Sequence, residues 1–173
     1  ALSRSRPEAT IGDLITDAMR FVTNVDVALQ NPGGMRANLA AGPITRGAIY
    51  GIMPFDNTIV TLVLSGAELK TALEQGLRGG RVTQVSGVRY TIDLKQPAGS
   101  RVASLALADG SPVDPAKSYT VAVNNFMATG GDDFDVLTTA RDKVDTGLLI
   151  RGAMESYVRD RCKAGGTLDV KAD

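Results

Sequence analysis

Two of the four phenylalanines stand in loops, where a core ring does not belong. Phe55 follows a proline in Met53-Pro54-Phe55-Asp56-Asn57, and Phe126 sits among polar and small residues in Asn125-Phe126-Met127-Ala128-Thr129-Gly130-Gly131-Asp132-Asp133. An aromatic face in a polar loop can stack on a planar ligand, as such rings do on nucleobases. A third loop reads Asn31-Pro32-Gly33-Gly34-Met35-Arg36. Asn31 supplies paired donor and acceptor groups, and Arg36 a planar fork of donors. Gly33 and Gly34 let a backbone turn tightly or approach a ligand closely. Asp132 can accept two hydrogen bonds, for instance from a ribose diol, and Asn57 adds another amide. Each loop also has a plain structural use, as a turn, a core anchor or a capping carboxylate. Taken together, two rings with Asn, Arg and Asp are a set suited to a base and its sugar. Phe21 lies in a helical pattern, and Phe134 opens an apolar stretch and reads as a core ring.

Composition removes most alternatives. There is no histidine, so Ser–His and Cys–His catalysis and histidine-bearing zinc sites are excluded. One cysteine, Cys162, permits neither an internal disulfide nor an all-Cys metal site, and reads as a small half-buried side chain. A carboxylate-only site remains open, but Asp132, Asp133 and Asp135 form only a local run without paired-carboxylate spacing. We therefore expect no catalytic residue and no metal ligand in this chain. Lys plus Arg equals Asp plus Glu at 19 each, which argues against nucleic-acid or membrane-surface binding driven by net charge. No apolar run reaches the ~20 residues of a membrane helix. The first residue is Ala1, not Met, which suggests a processed chain or part of a longer one.

The elements that must position these loops follow from periodicity. Ile11, Leu14, Ile15, Ala18, Met19 and Val22 share one face of a helix over Thr10–Thr23, with Thr10 as N-cap and Asp13 at the capping-box position. A strand over 25–30 enters the first loop. Thr45 caps a short helix through Gly51, and residues 58–64 make a β-branched strand buried on both faces. Ser65 and Glu68 form a capping box that starts a helix to about Leu77, ended by Gly79 and Gly80. Strands over 82–85, 88–94 and Val102–Leu107 alternate apolar and polar residues, and a core strand over 119–123 enters the loop of Phe126. Thr146 is expected to cap a last helix over 147–163, and residues 167–170 to close the chain as a strand. At 173 residues this is one domain's worth of chain, enough to bury roughly 70% of its unfolded surface. Helices and strands mix without a strict βαβ rhythm. The fold class is therefore α/β in the α+β sense, a mixed β-sheet core covered by helices.

The loop sequences Asn31-Pro32-Gly33-Gly34-Met35-Arg36, Pro54-Phe55-Asp56-Asn57 and Asn125-Phe126-Met127-Ala128-Thr129-Gly130-Gly131-Asp132 resemble signatures of the 5'-nucleotidase C-terminal domain. Residues 11–19 look like its opening helix, so the resemblance spans nearly the whole chain in the family's order. It implies a 5'-nucleotidase C-terminal fold and a nucleoside pocket. Phe55 and Phe126 would sandwich the base, Asn57 and Asn31 would bond near it, and Asp132 would meet the ribose hydroxyls. Arg36, with either Arg4 or Arg6, would meet the phosphate. Pro32 departs from the glycine that many members carry there. The resemblance further implies an N-terminal metallophosphoesterase domain of the same polypeptide, holding two divalent metal ions, as partner. The whole would be an exported enzyme, periplasmic or at the cell surface, that hydrolyses nucleoside monophosphates, UDP-sugars or 2',3'-cyclic nucleotides. A non-catalytic binding module for another planar ligand is the alternative.

Overall fold

A computed structural model of the chain describes residues 1–4, 9–163 and 167–168. Helix α1 (Thr10–Thr23) leads into strand β1 (Val27–Gln30), helix α2 (Arg46–Ile52), strand β2 (Thr58–Ser65) and helix α3 (Gly66–Gly76). Strands β3 (Gln84–Ser86), β4 (Val88–Ile92), β5 (Val102–Leu107) and β6 (Ser118–Asn124) follow. Two one-turn helices, α4 (Asn125–Ala128) and α5 (Asp135–Thr138), precede strand β7 (Arg141–Leu149) and helix α6 (Ile150–Arg161).

Five strands form a mixed sheet in the order β3-β1-β6-β2-β7, and β4 pairs with β5 in a separate hairpin. Strand alternation sends successive side chains to opposite faces. Ala28, Ile59 and Ala122 pack under α1, α2 and α6, while Val27, Leu29, Val60, Leu62, Leu64, Val121 and Val123 pack under α3, α5 and Phe134. The sheet is thus covered on both sides, which explains the apolar runs in β1, β2 and β6.

Local signals explain most element ends. The expected face of α1 is the buried one, with Ile11, Leu14, Ile15, Ala18 and Met19 all inaccessible. Asn24, in the left-handed region at φ 53°, closes that helix by donating its N–H to Arg20 O. Thr45 accepts from the N–H of Ala48 and caps α2. The Ser65–Glu68 capping box of α3 is complete in both directions. Gly79 and Gly80, at φ 66° and 74°, end the turn after α3 where a side chain would be strained.

Four expectations are corrected. Ala9, not Thr10, occupies the α1 cap position, and the Thr10 hydroxyl instead accepts from the N–H of Ser3. Residues 125–128 are not a plain loop, because the Asn124 side chain accepts from Met127 N–H and caps a helical turn. Strand β4 stops at Ile92, leaving Leu94 exposed. Thr146 does not cap the last helix. It lies inside edge strand β7, donates to Ile59 O at 2.7 Å, and α6 begins at Ile150 with Leu149 at its cap. Of the strand expected over 167–170, only 167 and 168 are described, and neither is in a strand.

Candidate functional site

Topology brings three loops to one edge. Strand β1 runs parallel to β6 and β2 antiparallel to it, with Ile59 opposite Asn124. The C-terminal ends of β1 and β6 therefore lie beside the N-terminal end of β2. The chain segments leaving or entering there carry Asn31–Arg36, Asn125–Asp133 and Met53–Asn57. Between them opens a cavity of about 320 Å³ lined by Asn31, Gly33, Gly34, Arg36, Phe55, Asn57, Asn124, Phe126 and Asp132.

Its floor is a network of neutral amides. Gln30, Asn31 and Asn124 are 0%, 4% and 2% exposed, so their polar atoms must be paired within the protein. Asn124 Nδ2 donates to Gln30 Oε1 (3.1 Å) and Asn31 Oδ1 (2.9 Å). Gln30 Nε2 donates to Asn31 Oδ1 (3.0 Å), and Asn31 Nδ2 donates to Asp132 Oδ2 (2.7 Å). Beside it Asn57 Nδ2 donates to Asn125 Oδ1 at 2.7 Å, tying the β2 loop to the β6 loop.

Asp132 is held in an unusual backbone state. Asp132 and Asp133 both have positive φ, 57° and 66°. A non-glycine residue persists there only when its surroundings fix it. Arg81 does so from behind, reaching Asp132 O (3.0 Å), Asp132 Oδ1 (3.3 Å) and Asp133 Oδ2 (2.9 Å). Arg78 adds a bond to Asp133 O at 3.2 Å.

Both loop phenylalanines present their rings to solvent, with Phe55 44% and Phe126 47% exposed. Arg36 lies over the Phe55 ring, 5.8 Å from its centroid, while donating to Gly33 O at 3.2 Å. Arg151 of α6 supports the same loop from beneath. It donates to Met53 O at 3.3 Å and also bonds Phe55 O and the Asp56 carboxylate. Phe126 rests on Gly131, where an added Cβ would stand 2.5 Å from ring atoms. Neither Gly33 nor Gly34 has a positive φ, and only Gly34 is set by packing. A Cβ at Gly34 would meet Gln30 Nε2 at 2.2 Å, and one at Gly33 would touch Asp132 Oδ2 at 3.4 Å.

Phe55, Phe126, Asn31, Arg36, Asn57, Asp132, Gly33 and Gly34 thus line one cavity. Arg4 does not line it. Arg4 donates to Met35 O at 3.2 Å, next to Arg36, and Arg6 lies outside the described residues. Sequence reasoning missed Gln30, Asn124, Arg81 and Arg151. Gln30 and Asn124 left a signal, since each is a polar residue completing an apolar core strand. Among the described residues no group of three or more His, Cys, Asp or Glu side chains is placed to hold a metal ion. No described helix is long and apolar enough to cross a membrane.

Comparison with known proteins gives a consistent result. Residues 1–139 match the sequence model of the family described as 5'-nucleotidase, C-terminal domain. The chain is 36% identical over 155 residues to the trifunctional nucleotide phosphoesterase protein YfkN of Bacillus subtilis, covering 82% of this chain and 11% of that protein. It is 30% identical to a 5'-nucleotidase of Diplobatis ommata, over 88% of this chain and 31% of that one. The crystal structure of a 5'-nucleotidase precursor from Thermus thermophilus superposes with a TM-score of 0.87 at 42% identity, covering 92% of this chain and 35% of that chain. The chain therefore spans about a third or less of the length of these relatives.

Proposed function

The chain belongs to the 5'-nucleotidase C-terminal domain family, and from that premise we propose that it is the nucleoside-recognition domain of a nucleotide phosphohydrolase. The observation that carries this reading is the pair of half-exposed rings over a buried amide floor. In the proposed mode Phe55 and Phe126 stack on the two faces of the base. Asn57 bonds the base edge, joined by the one Nδ2 hydrogen of Asn31 that its bond to Asp132 leaves. Asp132 keeps acceptor capacity beyond its bonds to Asn31 and Arg81 and takes a ribose hydroxyl. Arg36, with donors left after its bond to Gly33 O, meets the phosphate.

The sequence has no histidine, and among the described residues no group of carboxylates is placed to hold a metal ion. In our reading the metals and the hydrolytic step belong to an N-terminal metallophosphoesterase domain of the same polypeptide, acting outside the cytoplasm. This chain's part is to bind the nucleoside, orient it and turn its phosphate outward. Stacking tolerates every base, so substrate choice among nucleotides rests on groups outside the clamp.

The test is a titration of the isotope-labelled chain with adenosine, uridine and riboflavin, followed by amide chemical shifts. Half a site binds weakly, and we expect nucleoside dissociation constants of about 0.1–10 mM. Shifts should centre on Phe55, Phe126 and Asp132, and the chain should release no phosphate from AMP with manganese or zinc added. Saturating nucleoside that leaves all three loops unperturbed refutes the reading. A preference for riboflavin would favour a module for a different planar ligand.

A further inference from the structure

A second cavity, of about 590 Å³, lies between α3 and the β4–β5 hairpin and shares no lining residue with the first. That volume is within the range of small-molecule pockets. Glu74 lines it and is nine-tenths buried. One carboxylate oxygen, Oε1, accepts from Val102 N–H at 2.6 Å, while Oε2 is buried with no hydrogen-bond partner. Buried acceptors are almost always paired, so an orphan on a side chain that lines a cavity is open to a donor brought by a water or a ligand when the carboxylate turns toward the opening.

The rim supplies the opposite charge. Lys70, exposed on α3, forms no hydrogen bond or ion pair with any described residue, and Arg101 uses its Nε on Gln96 O at 3.2 Å, which leaves its terminal nitrogens. Arg78 is occupied by Asp135 at 3.1 Å. Leu105 and Val113 make an apolar wall, and no aromatic ring lines the cavity, so a base finds no stacking partner. We propose that this cavity is a second binding site, for a small hydroxylated anion of the sugar-phosphate kind. A ligand hydroxyl donates to Glu74 Oε2, and the anionic end is held by Lys70 and Arg101. The assignment is independent of the nucleoside reading.

The experiment titrates the isotope-labelled chain with ribose 5-phosphate, inorganic phosphate and ribose, each to about 20 mM, a range that detects millimolar binding. Ribose 5-phosphate should shift the amides of Glu74, Val102 and Leu105, apart from those of Phe55 and Phe126, and bind more tightly than inorganic phosphate. Lys70→Ala, at an exposed position, should weaken it about tenfold, the loss of one charge-assisted contact. Glu74→Gln keeps an acceptor for Val102 N–H and should erase most of the preference for the sugar phosphate over phosphate. The site is overturned by silence around Glu74, by inorganic phosphate binding as tightly as the sugar phosphate, or by unchanged affinity in Lys70→Ala.

Discussion

Replacing Phe126 by Ala separates recognition from packing, and Phe134 supplies the contrast inside the same segment. Phe134 is 1% exposed within the core cluster on one sheet face. Its truncation leaves an enclosed void, and Phe→Ala at such sites costs about 3–5 kcal/mol. Phe126 is 47% exposed and borders a cavity that is already open. Full burial of a phenylalanine side chain is worth about 1.5–3 kcal/mol, so half of it is roughly 1 kcal/mol, with no enclosed void added. In a chain of this size each kcal/mol lowers Tm by about 2–4 °C. Phe126→Ala should therefore lower Tm by about 2–4 °C, and Phe134→Ala by about 6–20 °C. Nucleoside affinity should move the other way. Loss of one stacking face costs about 1–3 kcal/mol, a weakening of roughly 5-fold to 150-fold in Phe126→Ala, with folded Phe134→Ala near the parent value. Calorimetric melting and shift titration of the same samples measure both. If Phe126→Ala melts as low as Phe134→Ala while its folded fraction binds nucleoside like the parent, Phe126 is a packing residue and the clamp is wrong.

Two further outcomes follow from neighbouring geometry. Gly131→Ala puts a Cβ about where the Phe126 ring now rests, 2.5 Å from two of its atoms and 2.6 Å from a third. The ring must shift, and nucleoside affinity should fall nearly as far as in Phe126→Ala while Tm changes by only a few degrees, about the effect of 1 kcal/mol; unchanged affinity would mean that ring placement is unimportant. Ser65→Ala tests the α3 cap, worth about 1 kcal/mol at neutral pH by urea unfolding. The bond from Ser65 N–H, with the Ser65 hydroxyl and Arg141 adding to it, holds the Glu68 carboxyl below its usual 4.5. A depressed folded value stabilises fully above pH 4.5 and less as the pH falls through it. The gap between parent and Ser65→Ala should thus narrow as pH drops below 4.5, and a gap that widens there contradicts the assignment.

What the sequence disclosed tracks how local each determinant is. The α1 face, the Thr45 cap, the Ser65–Glu68 box and the buried Phe134 depend on spacing of a few residues, and each appears as expected. Strand β7 was hidden because it is an edge strand. Nearly all its side chains are exposed, so it has no apolar alternation, and its identity comes from backbone pairing with a strand some 80 residues earlier. Thr146 and Gly147 then mimic a helix start, although the Thr146 hydroxyl serves the Ile59 carbonyl. The lining of the first cavity was legible because its loops carry unusual residues. Arg81 and Arg151 were not, since each supports a loop through backbone carbonyls and carboxylates far away in sequence. No spacing rule marks such a pair.

The distribution of charge in the first cavity sets a direction for any guest. Its floor joins Gln30, Asn31 and Asn124, neutral amides that satisfy one another while buried. A carboxylate or guanidinium in that place would carry a large desolvation cost unless paired. The charged groups stand toward the loops instead. Asp132 is partly neutralised by Arg81, whereas Arg36 spends one donor on a backbone carbonyl and holds its charge over the Phe55 ring. A neutral, flat, hydrogen-bonding body is accommodated between the rings and the amide floor. An anionic substituent on that body is repelled by Asp132 and drawn to Arg36. In the proposed binding mode this orders base, ribose and phosphate from the floor outward, so the scissile end faces away from this chain.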